Sequence, residues 1–351
     1  MKGVISLEQS PLFSLPKLLL PWYRENKREL PWRTDRDPYH IWLSEIMLQQ
    51  TRVEAVKGYY TRFLSILPTI EDLAACGDDM LYKLWEGLGY YSRVRNLKKA
   101  AQIILEQHDG IFPRKYEEVI RLPGIGDYTA GAICSIAFDQ PVPAVDGNVL
   151  RVISRLRNDP APIDLPETKR KVRELLLSIY PEEAGDFTQS LMELGATICG
   201  PNRKPDCEHC PCASICEAYK ADTAADLPVK SPKKKKQQED LTVFIFHCDG
   251  RYALEKRPGK GLLASLWHFP NIPHHLKTTE ALAAAETMGL NPRDIRKEIH
   301  RKHIFTHIVW NMKGIYLDVT ECSGNFQWFT EEEISTQAAL PTAFRLFWEE
   351  K

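Results

Sequence analysis

The stretch VIRLPGIGDYTAGAICSIAFDQPVPAVDGNVLRVISRL, residues 119–156, decides how the chain folds. Two apolar runs at helical spacing flank the turn LPGIG (122–126). Gly124 and Gly126 permit a tight turn, and the free N–H groups of the next helix face outward from it. Such amides hold a phosphate without net positive charge. A Gly-rich helix connection with no ligand has the same pattern, so the turn alone decides nothing about function. About twenty residues later Asp146 stands in an apolar setting, PVPAVDGNVL (141–150). It is either a helix cap or a carboxylate placed for chemistry.

Outward from this stretch the texture is helical. Residues 22–32 (WYRENKRELPW) predict an amphipathic helix ending at Pro31. Residues 41–67 predict one or two helices, with Glu45 among apolar neighbours. Short helices are expected over 69–76 and 78–87, with Asp78 as an N-cap and Gly87 and Gly89 as a stop. A basic amphipathic helix ends at Gly110, and further helices are expected over 115–122, 128–138, 148–157, 166–179 and 185–198. No strand is expected before residue 240. Residues 226–240 (DLPVKSPKKKKQQED) read as a linker, and the run Lys233–Lys236 as either a solvated tether, the favoured reading, or a DNA contact. Beyond it LTVFIFHC (241–248), RYALEKR (251–257), HIVWNMKGIYLDV (307–319) and FQWFT (326–330) read as strands. Helical runs at 278–289 and 331–338 complete a second, α+β domain.

At 351 residues the chain is long enough for two or three domains. The formal net charge is −1; residues 1–230 carry 29 Lys and Arg against 32 Asp and Glu, and residues 241–351 carry 13 of each. Any nucleic-acid site must therefore be local, built from backbone amides and a few basic side chains. There is no 18-residue apolar run, so no membrane span is expected. The start of the chain has Pro16 and Pro21 and no small-residue cleavage site, which argues against a signal peptide. Of nine cysteines, five fall within 199–216. The pattern Cys199-x7-Cys207-x2-Cys210-x5-Cys216, with Cys212 inside it, suits reduced thiols on a metal centre. Spacing alone leaves zinc and a [4Fe–4S] cluster both open.

Glu45 and Asp146 are the candidate catalytic pair. Cleaving a glycosidic bond needs an acid to protonate the leaving group and a carboxylate to stabilise the oxocarbenium-like transition state. An apolar setting raises a carboxyl pKa and suits the acid. A helix-surface Glu and a helix-capping Asp would be the plain alternatives.

The chain resembles the adenine DNA glycosylase family (MutY type) of the helix-hairpin-helix base-excision superfamily. The matching stretches are LPWRTDRDPYHIWLSEIMLQQTRV (30–53), WEGLGYYSRVRNL (85–97), LPGIGDYTAGAI (122–133), AVDGNVLRV (144–152), ELGATIC (193–199) and GLLASLWHFP (261–270). The resemblance implies a multidomain fold: an all-α, two-lobed helix-hairpin-helix glycosylase with an iron–sulfur cluster loop, plus a C-terminal α+β Nudix-like domain. The catalytic region would be 1–225, with a six-helix lobe of about 31–138 and a cluster lobe of about 1–30 plus 139–225. The linker would be 226–240 and the recognition domain 241–351.

The resemblance also assigns roles. Double-stranded DNA with adenine opposite 8-oxoguanine or guanine is the implied substrate, with the adenine flipped out of the stack. Glu45 is implied as the acid toward adenine N7 and later the activator of water, and Asp146 as the group that stabilises the sugar cation or forms a transient covalent bond with it. Tyr128 and Asn148 support them; Arg33 and Gln189 contact the adenine; Gln50 and Tyr90 wedge into the duplex. Cys199, Cys207, Cys210 and Cys216 would bind a [4Fe–4S] cluster, with Arg203 and Lys204 near phosphates. Phe305, Thr306 and His307 fall on the loop that reads 8-oxoguanine. The first cysteine gap is seven residues where six is expected, and Thr306 stands where Ser is commoner. Residues 278–290 (TTEALAAAETMGL) lack the REx2EE pattern of a Nudix hydrolase, so that domain is read as binding only. A monomer and a cytoplasmic, bacterial-type location are implied. The sister endonuclease III type would have a lysine where Tyr128 stands, VDTH in place of VDGN (145–148), and no second domain. A DNA-binding module without chemistry is the non-enzyme alternative, against which Glu45 and Asp146 argue.

Overall fold

The computed structural model describes residues 11–201, 204–232 and 235–351. The start of the chain, Arg203, Lys233 and Lys234 lie outside the described residues. The helices are α1 (Leu15–Asn26), α2 (Pro38–Leu48), α3 (Val53–Ile66), α4 (Ile70–Ala75), α5 (Asp78–Leu84) and α6 (Ser92–His108). They continue as α7 (Tyr116–Val119), α8 (Asp127–Phe138), α9 (Gly147–Arg157), α10 (Pro166–Leu177), α11 (Ala184–Thr197) and α12 (Glu217–Lys220). Then come β1 (Gln237–Cys248), β2 (Arg251–Lys256), β3 (Trp267–His268), β4 (Asn271–Pro273), β5 (Pro292–Ile304), β6 (Ile308–Val319) and β7 (Gln327–Thr330). Helix α13 (Thr278–Thr287) precedes β5, and α14 (Glu331–Thr336) and α15 (Thr342–Trp348) follow β7. Among the described residues no helix is long and apolar enough to cross a membrane.

The chain forms two compact units. The first runs to Ala75 and resumes over Asn96–Pro232. Its central helix is α8, buried continuously from Thr129 to Ile136 and packed against α2 and α11. A helix apolar on every side must be enclosed by others. The same holds for α2, where every residue from Ile41 to Met47, Glu45 included, is buried. One core joins Leu15 and Leu19 of α1 to Val149 and Ile153 of α9, Phe187 of α11 and the cysteine-bearing loop.

Helix α1 corrects the expectation for 22–32. Its apolar face is Leu15, Leu19 and Tyr23, at a spacing of four, with Pro16 in the first turn, where its missing N–H leaves no bond unmade. The charged stretch after Tyr23 has no face to bury, and the helix stops at Asn26. Asp78 is not a cap either: Gly77 takes that place, and Asp78 and Asp79 lie in the first turn of α5, where their charge suits the helix dipole.

The second unit joins Cys76–Arg95 to the chain beyond Pro232. Its mixed sheet has the order β3-β2-β1-β6-β5, with β4 paired to β1 and β7 to β2. Alternate residues of β1 bury on opposite faces: Val243 and Ile245 meet Phe344 and Phe347, while Phe244 and Phe246 meet Ala281 and Ala285. The parallel ladder with β6 starts at Gln237 opposite Ile308, so the strand begins inside the stretch read as linker. Strand β5 and helix α15 were not expected. Along β5 half-buried and exposed positions alternate, and basic residues at 293, 296, 297, 301 and 302 replace an apolar stripe. It is an edge strand, and charge there discourages pairing with another chain.

Residues 76–95 are held by this unit through specific bonds. Lys83 Nζ donates to the carbonyls of Ile334 (3.2 Å) and Ala338 (3.4 Å). Glu86 Oε1 accepts from the Leu340 amide at 2.9 Å, and Arg95 Nη1 donates to the Ala264 carbonyl at 2.6 Å. Such long-range pairing leaves no local mark in the sequence.

Candidate active site

A cavity of about 370 Å³ opens in the first unit. Glu45 reaches it from α2, Tyr128 from α8, Asp146 and Asn148 from the start of α9, and Gln189 from α11. Arg33, from the short 3-10 turn Pro31–Arg33, and Gln50 also line it. Seven of the residues singled out in the sequence thus share one wall. Gln50 follows α2 at φ 59°, exposed.

Glu45 is 6 % exposed. Burial pushes its carboxyl up from 4.5 to about 7. The Tyr128 hydroxyl donates to Oε2 and works against that rise, Asp146 adds to it, and Arg33 again opposes it. A carboxylic acid that changes charge near neutrality is suited to general acid work.

Asp146 is treated differently by its surroundings. Its side chain caps α9, accepting from Val149 N at 2.7 Å, while Asn148 Nδ2 donates to its other oxygen at 2.7 Å. Burial raises its pKa, and these donors, with the Arg151 guanidinium, pull the other way. Burial raises both carboxyls, and more groups oppose the rise at Asp146 than at Glu45. Arg151 orients this group from behind, donating to Asn148 Oδ1 (2.9 Å), the Gly195 carbonyl (2.6 Å) and the Cys199 carbonyl (2.7 Å). Gly195 is required there, since a Cβ would lie 2.7 Å from that of Asn148.

Glu193, Arg28 and Arg151 went unread in the sequence. Glu193 has a fully buried side chain that accepts from Arg28 Nε (2.6 Å) and Arg33 Nη2 (2.7 Å). Burial alone would raise its carboxyl, but the two guanidiniums win and hold it below the usual range. The cavity wall includes Glu193, Arg28 and Arg33, so the pair of arginines is fixed by one buried anion. A lone Glu between Leu191 and Leu194 on an apolar helix face was the available signal. Glu193→Gln is expected to destabilise the fold by about 2 kcal/mol, because it strands two part-buried guanidiniums. Urea unfolding at pH 7 measures this; an unchanged midpoint would contradict it.

The LPGIG turn is as tight as read. Gly124 has φ +80°, and a Cβ there would meet Asn96 Cβ at 2.7 Å. Gly126 is different: its φ is −105°, which any residue adopts, and a Cβ would meet nothing within 4 Å. It leaves the start of α8 open to approach rather than making the turn.

Cys199, Cys207, Cys210 and Cys216 line one small cavity of about 20 Å³, and Cys212, fully buried, is not on its wall. Arg155 Nη1 donates to Cys199 Sγ at 3.2 Å. Among the described residues no three His, Cys, Asp or Glu are grouped to hold a single metal ion. Four thiols bordering one cavity, with a fifth left out, have the donor chemistry of a thiolate-bound metal centre.

Comparison with known proteins identifies the family. Residues 43–182 match the HhH-GPD superfamily of base excision DNA repair proteins, and residues 242–350 match the NUDIX domain. The adenine DNA glycosylase of Mus musculus is 34 % identical, over 94 % of this chain and 77 % of that one. That of Buchnera aphidicola subsp. Schizaphis graminum is also 34 % identical, over 85 % and 87 %. The chain belongs to the adenine DNA glycosylase family. Among solved structures, a thermostable thymine-DNA glycosylase is 31 % identical with a TM-score of 0.54, covering 59 % of this chain and 95 % of that one. An endonuclease III–DNA complex, 23 % identical over 62 % of this chain and 99 % of that one (TM-score 0.52), shares the fold.

In this adenine DNA glycosylase family member, Phe305–His307 form the turn between β5 and β6 in the second unit. Phe305 is packed edge-on against Trp310 and His303, while Thr306 and His307 are exposed. Tyr90, at φ 46° and exposed, comes from the 76–95 segment of the same unit, and its hydroxyl lies 3.0 Å from Thr306 Oγ1.

Proposed function

We propose that this DNA glycosylase binds duplex DNA and removes adenine opposite 8-oxoguanine or guanine by hydrolysis, without strand cleavage. The observation that carries the reading is Glu45: a buried carboxyl pushed up to about 7, sharing a cavity with Asp146. Protonated Glu45 donates to adenine N7, and the electrons of the glycosidic bond leave with the base. Ionised Asp146 meets the positive charge that develops on the sugar. Glu45, now a carboxylate, takes a proton from the attacking water. Tyr128 and Asn148 hold the two carboxyls, and Arg33 and Gln189 face the base. Gln50 and Tyr90 are the wedge residues, and the hairpin amides beyond Gly124 and Gly126 hold phosphate. Tyr128 stands where the lyase type would have a lysine, and none of the residues lining this cavity is a lysine.

The thiols of Cys199, Cys207, Cys210 and Cys216 would hold a [4Fe–4S] cluster, which when bound ties the 199–216 loop into one rigid piece. Purified protein is expected to carry iron and absorb in the visible. A colourless, zinc-loaded protein would contradict it.

The deciding assay is single-turnover adenine release from short duplexes with A opposite 8-oxoguanine, guanine or thymine. Release is expected from the first two, fastest opposite 8-oxoguanine; no release, or equal release opposite thymine, would refute the reading. The recognition loop is best tested by substitution, because deleting the C-terminal domain also strips Lys83 and Glu86 of their partners. Thr306→Ala is expected to reduce the preference for 8-oxoguanine over guanine about five- to tenfold, the worth of one hydrogen bond.

A further inference from the structure

Two cysteines far from the 199–216 loop come together in the second unit. Cys248 ends β1, next to the turn into β2, and is 2 % exposed. Cys322 lies in the connection between β6 and β7 and is exposed. Because β1 and β6 run parallel, with His247 level with Asp318, their ends emerge side by side. The Cys322 thiol points at the Cys248 carbonyl, 3.7 Å away, which brings the two cysteines together. Both are free thiols.

We propose that Cys248 and Cys322 are a reversible thiol–disulfide pair, closed by a hydroperoxide. Exposed Cys322 reacts first, because Cys248 is shielded from the oxidant by burial. The Cys322 sulfur attacks the peroxide, an S–O bond forms as the O–O bond breaks, and with hydrogen peroxide one water leaves. Cys322 is then a sulfenic acid, oxidised by two electrons as the peroxide is reduced. The Cys248 sulfur attacks that sulfur: the S–S bond forms, the S–O bond breaks, and the hydroxyl leaves as a second water with the thiol proton. The cross-link closes a long ring, which removes freedom from the unfolded chain. It sits at the opposite end of the β1–β6 pair from the 305–307 turn, where Gln237 N bonds the His307 carbonyl. It therefore stabilises the module without touching the loop proposed to read the opposing base.

The test uses the full holoprotein with hydrogen peroxide, then thiol alkylation, digestion and mass mapping. A Cys248–Cys322 peptide pair that dithiothreitol separates is expected. With it should come a rise in melting temperature on the order of 5 °C, absent in Cys322→Ser. In Cys248→Ser the sulfenic acid has no resolving partner, so dimedone should label Cys322 several-fold more than in the unsubstituted protein. Equal dimedone labelling of the two, or Cys322 oxidised only to the sulfinic acid, would overturn the proposal.

Discussion

Glu45→Gln is expected to slow adenine release about 10²–10⁴-fold under single turnover, the range that one positioned proton donor supplies. Glutamine keeps the size of the side chain and can still accept the Tyr128 hydroxyl bond. What it loses is the transferable proton. The same substitution should stabilise the protein, with a definite pH dependence. Glu45 has a folded pKa of about 7 against 4.5 unfolded, so the native state binds the extra proton between those values. Stability tied to this group is complete below about pH 4.5 and is lost as pH rises through about 7. The loss is about 3 kcal/mol by pH 8. Glu45→Gln does not suffer it. Its melting temperature should exceed that of the parent by several degrees at pH 8, and the two should converge near pH 5. A variant both inactive and less stable at pH 8 would show that Glu45 is a structural residue.

Asp146→Asn comes second, with an expected loss of about 10²–10³ in the same rate, as for removal of one group aimed at developing charge. The fold should survive, because asparagine also caps helices and can accept from Val149 N. The Asn148 amide would face a second amide instead of a carboxylate, at a cost of about 1 kcal/mol. Binding to the mismatched duplex should change little, since the charge is needed only when the sugar becomes positive. A variant that binds and releases adenine at the parent rate would remove Asp146 from the chemistry.

Much of this site was legible in the sequence because its parts are local. The LPGIG turn, the apolar run of α8 and the capping position of Asp146 each announce themselves within a dozen residues. Glu45 was marked by its neighbours, since a carboxylate inside IWLSEIML cannot avoid burial once that helix is enclosed. What escaped depends on distance along the chain. Arg28 and Glu193 are 165 residues apart and find each other only through the packing of α1 on α11. The attachment of residues 76–95 to the second unit is of the same kind. Strand β5 was missed for another reason: an edge strand half open to water carries charges where pattern reading looks for an apolar stripe. Gly126 shows the opposite error, since a glycine in a turn motif was given a conformational duty that Gly124 alone performs.

The most direct test is the pH profile of single-turnover adenine release from an A:8-oxoguanine duplex. If Glu45 is the acid, only its protonated form works. The rate should level off below about pH 7 and fall about tenfold per unit above it. A rate that stays flat to pH 9, or rises with pH, would contradict the account.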